Sequence, residues 1–436
     1  MFFQHLSFIP RFDLPVGMYL LIVLPLCLGP IIALLFFDIS SWRAARSEPK
    51  GCRKLGLRVT SNLADEFDKK YAKGGPPGKD KNGNDLWRIK SLWIYPVKSC
   101  AGIELNRGNV VRTGMEHDRQ FTFAQLEPVP GNKQGSEKAG PMWKFITGRI
   151  HRLLLTLKTE VWVPDPASVT YSPDHAEVRS GGVLIVRYPC QKGGWRGLWA
   201  KLCRWFRVGV LEESFRVPLH PTADQIKDNG YTTEEMTIWK DSPLALNMGV
   251  HVPPDLKDYL GIRNPLSLFR VHHKHEREVY RCAPRMEQAG YQPVIGFPDA
   301  YPLHILNLAS VKELSTNMLE DAPKLSALRF RPNFIITGPD AYAEDGWKRI
   351  RIGGYEYFVA CRTARCKLPN VDPISGERHP SEPDRTLRKF RNVDAGGPQY
   401  GFFGMQMVPA SVEGSIRVGD AIEVLETGNH RYIPQG

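Results

Sequence analysis

From Leu14 to Phe37 the chain carries no charged residue. At 1.5 Å per residue this run reaches roughly 36 Å as a helix, enough to cross a bilayer. Pro25 and Pro30 lie inside it, and a membrane helix tolerates such breaks. A cleaved signal peptide is the competing reading, but the run is long for one and no small-residue cleavage pattern follows. Arg43, Arg46, Lys50, Arg53, Lys54 and Arg58 follow it instead, against Arg11 alone on the other side. The positive-inside rule then leaves the large C-terminal part in the cytosol. The expected layout is a tail at 1–13, a single-pass anchor at 14–38 and a charged juxtamembrane segment and linker at 39–85, with a helix near the membrane. Gly74 to Asp85 reads as a flexible tether, being rich in Gly, Pro, Asn and Asp with no apolar face.

The remainder is long enough for two compact domains within the 436 residues. The net charge of +12 admits nucleic acid, an anionic membrane surface or an acidic protein as partner. Nucleic acid is the weakest of these, because the basic residues are dispersed and no helix-turn-helix, zinc-finger or RNA-recognition pattern occurs. Eight unevenly spaced cysteines make no disulfide framework and fit a reducing compartment.

One stretch concentrates the chemistry. Tyr355 to Val359 is a β-branched and aromatic run, followed by Cys361, Arg362, Arg365 and Cys366. Pro369, Asn370, Asp372 and Pro373 then break regular structure. A thiol at the end of a strand, flanked by cations, is favoured as a thiolate, which binds soft metals. Four residues separate the two cysteines, so they form no CxxC pair, and on spacing alone two ordinary buried thiols are the better reading. Asp372 reads either as a carboxylate near that site or as a turn residue before Pro373. Upstream, Leu86 to Tyr95 alternates as a strand and ends at Pro96-Val97-Lys98-Ser99-Cys100. Asp118 and Arg119 precede a further strand. A lysine and serine after one strand and an arginine before another can cradle a phosphate-bearing ligand.

Trp93 to Ile103 resembles the opening strand and loop of MOSC-type molybdenum proteins, with the strongest likeness to the amidoxime-reducing components. Ile146-Thr-Gly-Arg149, Arg329 to Gly338, Ala341 to Trp347, Cys366 with Val371-Asp372-Pro373, Glu382-Pro383, Thr386-Leu387, Arg391, Phe403-Gly404 and Ile416 to Asp420 follow in the family's order. The resemblance covers roughly 86 to 425. It implies an α+β, mainly β fold: a MOSC-type β-barrel (256–428) after a β-rich, barrel-like N-terminal domain (86–255), with a tail at 429–436. It also implies a molybdenum-pyranopterin cofactor, with Cys366 as the metal's protein ligand. Lys98, Ser99, Arg119, Arg149, Arg331 and Asn333 would surround the pterin, and Asp372 would be a neighbour of the metal or a proton donor. The implied reaction is reduction of N-hydroxylated small molecules, with electrons from cytochrome b5 and its NADH-dependent reductase, since no nicotinamide or flavin fingerprint occurs. A cofactor carrier or sulfur-transfer protein is the alternative, and a tethered binding protein with a degenerate site is a third. The turn Asp299-Ala300-Tyr301 stands where the family has serines touching the cofactor phosphate, so backbone amides would take that role.

Two segments remain. Trp195, Trp199, Leu202 and Phe206 recur at helical spacing among Arg196, Lys201, Arg204 and Arg207, a pattern for a helix lying on a membrane or packed on the body. His272, His273 and His275 invite a metal reading, but an alternating strand would place His272 on the opposite face, which favours a solvated basic edge.

Overall fold

The structure is a computed structural model, and it describes residues 17, 23–29, 48–128, 140–191, 205 and 211–434. Within the predicted anchor only residue 17 and the helical residues 23–29 are among these. The anchor as a whole, residues 129–139 and all of the basic aromatic segment except Trp205 therefore lie outside the described residues. No helix among the described residues is long and apolar enough to cross a membrane.

The fold is mainly β. An eight-stranded sheet runs in the order Ile422–Thr427, Trp347–Ile352, Tyr355–Arg365, Gly401–Pro409, Leu303–Asn307, Phe334–Thr337, Arg88–Ile94 and Ile103–Leu105. All neighbours are antiparallel except Leu303–Asn307 and Phe334–Thr337. A parallel pair needs a crossover, and here it contains the helix Leu308–Thr316. A closed five-stranded barrel consists of Phe121–Glu127, Met142–Phe145, Thr232–Thr237, Leu244–Asn247 and Leu266–Val271. A further four-stranded sheet holds Cys52–Lys54, Lys158–Pro164, Val183–Pro189 and Glu212–Pro218.

Two expectations are corrected. The first half holds the closed barrel expected of it, but the sheet that bears the cysteines is open rather than a barrel. The boundary at 255 also cuts through the barrel, whose strand Leu266–Val271 lies beyond it, while Arg88–Ile94 belongs to the second sheet. One hydrophobic cluster runs through both halves, from Ile89 and Leu92 through Phe121 and Leu268 to Met405.

The 48–85 arm is docked rather than loose. Cys52–Lys54 pairs with Lys158–Pro164, and Leu63 and Tyr71 are buried against Leu308, Val311 and Phe330. Gly75 N donates to Gly338 O at 2.9 Å, and Trp87 Nε1 donates to Gly75 O at 2.7 Å. A Cβ on Gly74 would fall 2.2 Å from the backbone of Pro339 and Asp340. Glycine lets that backbone approach, so the feature that suggested flexibility is what permits docking. In place of the helix expected at 39–73, the described part is a short strand, turns and the 3-10 turn Lys69–Tyr71. A cavity of about 580 Å³ opens between arm and sheet, lined by Asp65, Lys70, Arg88 and Lys90 among others, and none of the residues around Cys366 lines it.

Candidate active site

The strand Tyr355–Arg365 buries Tyr357 and Val359 in the main core, while Cys361 and Ala360 pack in a second cluster with Val408. Its pairing with Gly401–Pro409 slips twice, between Val359 and Cys361 and between Arg362 and Ala364. Such bulges re-aim the side chains that follow. Cys366 leaves the strand solvent-accessible, with Leu368 N donating to its sulfur at 3.5 Å. Burial is nevertheless the first cause of its raised pKa. The sulfur is thus reachable by solvent while protein atoms crowd it closely enough to disfavour its charged form.

That raised pKa corrects the expectation of a thiolate made by its neighbours. Arg149 and Arg365 pull the pKa down, but burial and the Asp299 carboxylate outweigh them. Successive residues of a strand point to opposite sides, and the Arg365 guanidinium turns away. Its Nε donates to Phe403 O at 2.8 Å, Nη1 to Phe330 O at 3.3 Å, and Nη2 meets His304 Nε2. Gly404 stands beside this strut at φ +72, where a Cβ would lie 2.5 Å from His304 Nε2.

Lys98 is buried, and its ammonium donates to Phe297 O at 2.8 Å and to the Asp299 carboxylate. Burial pulls Lys98 down to about 8 despite that partner. At Asp299 the balance reverses: burial would raise its pKa, but Lys98 and the Trp239 indole hold it at about 2. Trp239 Nε1 donates to Asp299 Oδ1 at 3.2 Å, and the Arg149 guanidinium sits 5.4 Å from the Trp239 ring centre. Asp299 is felt by Lys98, Arg119, Arg365 and Cys366, which makes it the shared acidic neighbour of these groups.

Behind Lys98, Arg119 pairs with buried Asp118 at 2.5 Å and donates to Arg331 O at 3.0 Å. The guanidinium groups of Arg119 and Arg331 lie 4.7 and 4.1 Å from the Tyr95 ring centre. Arg331 is buried, and its Nη2 has no hydrogen-bond partner. Asn333 is fully enclosed; its amide donates to Trp93 O and accepts from His304 N, both at 3.2 Å. Ser99, Arg119, Trp239 and Arg331 all have left-handed backbone, at φ 66, 47, 54 and 52. Each such non-glycine residue costs roughly 1–2 kcal/mol, and strain of this kind concentrates at functional sites.

Asp372 belongs to a different arrangement. Its Oδ1 accepts from the amides of Ile374 and Ser375, each at 2.9 Å, and its Oδ2 accepts from Arg329 at 2.8 Å. Burial would raise its pKa, but those amides and Arg329 prevail and keep it low. A carboxylate so held builds a turn and is a poor proton donor, so the geometry carries the turn reading.

The structure thus sets Lys98 and Arg119 against Asp299 and sets Arg149 and Arg365 near Cys366, with Arg331 packed on Tyr95 beside Arg119, Asn333 enclosed and Asp372 held in its own turn. Trp239 and His304 were not singled out from sequence, and Asp299 was noticed only as an altered turn. The three histidines are also corrected. The strand ends at Val271, and the turn after it stacks His272 on His273 at 5.0 Å, with His275 also 5.0 Å from His272. Among the described residues, no group of three His, Cys, Asp or Glu can hold a metal ion.

The MOSC domain family matches residues 292–423, and the MOSC N-terminal beta barrel domain family matches 86–171. Mitochondrial amidoxime-reducing component 1 of Homo sapiens is 36% identical over 348 residues, which cover 77% of this chain and 82% of that protein. The chain belongs to that family. Mitochondrial amidoxime-reducing component 1 of Mus musculus is 35% identical over 404 residues, covering 90% of this chain and 98% of its own length. Component 2 of Rattus norvegicus is 32% identical over 360 residues, covering 79% and 86%.

Proposed function

We propose that this chain is a membrane-anchored, molybdenum-dependent reductase of N-hydroxylated compounds. The observation that carries this reading is an accessible sulfur at Cys366 that feels Arg149, Arg365 and Asp299, the last of these also paired with Lys98 and felt by Arg119. The unpartnered Arg331 Nη2 fits an anionic, acceptor-rich ligand, because a buried guanidinium without a partner is costly. A lone protein sulfur also fits a metal whose other ligands come from a pterin dithiolene, given that no three-residue metal cluster exists among the described residues.

In this reading Cys366 ligates the metal as thiolate, losing its proton on binding, as soft metal ions demand. Lys98, Ser99, Arg119, Arg149 and Arg331 hold the pterin and its phosphate, while Asn333 fixes the backbone of Trp93 and His304 beneath them. The bound group supplies two-electron redox chemistry, and the protein supplies position and electrostatics. The balance is one N-hydroxy compound, two electrons and two protons giving the reduced nitrogen compound and water. Lys98 Nζ, drawn to about 8 by burial, is a proton holder suited to neutral pH. Electrons would come from cytochrome b5 and its NADH-dependent reductase, and the +12 charge favours encounter with such an acidic donor. The relatives named mitochondrial, together with the apolar run at 14–37, support an outer-mitochondrial-membrane anchor.

Full-length protein from a cofactor-competent host, given a reduced viologen dye as donor, should convert benzamidoxime to benzamidine. Protein that holds the metal yet turns over neither benzamidoxime nor hydroxylamine would contradict the reductase and support the carrier.

A further inference from the structure

A second pair of thiols lies apart from the site. Cys361 is fully enclosed, whereas Cys282 is partly exposed. Both pack in one cluster with Val279, Ile295, Tyr301 and Val408. Within that cluster the two side chains interact, the contact lowering the Cys282 pKa and raising that of Cys361. Against both sulfurs lies the Tyr301 hydroxyl, which is enclosed and has no hydrogen bond of good geometry. As a thiol, Cys282 donates to Arg431 O at 3.5 Å. The Cys361 contact, with help from the Ile433 amide, draws the Cys282 pKa down against burial, which favours the reactive thiolate.

The surroundings allow the pair to close. Cys282 sits in a loop whose base is closed on itself by a two-residue ladder, Arg277–Glu278 against Val294–Ile295, which joins no larger sheet. Cys361 is held in a long central strand beside one of its register slips. One partner thus lies outside any large sheet and is accessible to an oxidant, and the other is held in the sheet and shielded.

We propose that Cys282 and Cys361 form a reversible disulfide when the protein meets a hydroperoxide, making this pair an oxidative modification site next to the candidate active site. The Cys282 thiolate attacks the peroxide oxygen, giving a sulfenic acid and, for hydrogen peroxide, water. The Cys361 thiol then attacks that sulfur, forming the S–S bond and releasing a second water. Two thiols and one hydrogen peroxide thus give one disulfide and two waters, and a dithiol reverses the step. The consequence reaches the site along two short covalent paths. Tyr301, displaced from the sulfurs, is two residues from Asp299, and Cys361 is five residues from Cys366 on the same chain segment. This inference is independent of the reductase reading.

The test is peptide mapping of the full-length protein after differential alkylation, with and without hydrogen peroxide. The expected result is a Cys282–Cys361 cross-linked peptide in more than half of the molecules, removed by dithiothreitol. Cys282→Ser should abolish it and leave Cys361 reduced. The oxidised protein should show at least a threefold change in the alkylation rate of Cys366, which reads the active site without any turnover. Because Cys361 is enclosed and its replacement could unfold the chain, Cys282→Ser is the deciding variant. The proposal is overturned if Cys282 stays free, reaches sulfinic acid while Cys361 stays reduced, or pairs with Cys366 instead.

Discussion

Asp299 and Asp372 each pair with a buried basic side chain near the cysteine loop, Lys98 for one and Arg329 for the other. Around Asp372 the account of donors closes: two backbone amides, a serine hydroxyl and Arg329 satisfy both carboxylate oxygens. Around Asp299 it does not. Lys98, Arg119 and Arg365 act on it, Arg149 acts on the neighbouring Cys366, and one buried guanidinium nitrogen of Arg331 is unmatched. The saturated side builds the loop. The unsaturated side leaves positive charge and donors for something the chain does not itself provide, and four left-handed residues hold it in that state.

Four outcomes sharpen or break this contrast. The largest effect belongs to Cys366→Ala. Metal content and N-hydroxy reduction should fall by more than the roughly 10–100-fold that loss of an outer partner costs, with melting little changed because the sulfur is accessible. Next, Arg331→Met removes the unmatched donor. Cofactor content should fall roughly tenfold, while the cofactor-free protein melts at the same temperature or higher, since an unpaired buried cation is lost. If instead Arg331→Met melts far lower, Arg331 serves the fold.

Asp372→Asn tests the saturated side. It should lower stability by about 1–2 kcal/mol in urea melts through loss of charge-assisted bonds, with turnover of the remaining folded protein changed less than threefold. The pH dependence has a definite sign. Asp372 titrates below its unfolded value, so its contribution is present at neutral pH and is lost as pH falls below about 4. The smallest effect is at Asp299→Asn. Removing the carboxylate that raises the Cys366 pKa should move the alkylation midpoint of cofactor-free protein to lower pH. A midpoint that stays put or rises would remove Asp299 from the site.

Much of this was legible in the chain. Tyr355 to Val359 read as a strand because β-branched and aromatic residues favour a pleated surface, and Pro369 to Pro373 read as its end. Lys98, Arg119, Arg149, Arg331 and Cys366 were legible through ordered motifs, not through local physics. What escaped was non-local. The pairing of Phe334–Thr337 with Arg88–Ile94 joins distant segments, so no window shows it. The docked arm is held by backbone bonds at Gly75 and by a glycine with no side chain to signal contact. Arg365 reads as the partner of Cys366 by adjacency, but strand alternation sends it to Phe403 and His304. The Cys282–Cys361 contact is tertiary, and no spacing rule predicts it.

The most direct measurement is metal and pterin analysis of purified full-length protein from a cofactor-competent host, beside Cys366→Ala. The account predicts about one molybdenum and one pterin per wild-type chain, and loss of the metal in the variant. Wild-type protein with neither, or a variant that keeps its metal in full, would contradict it.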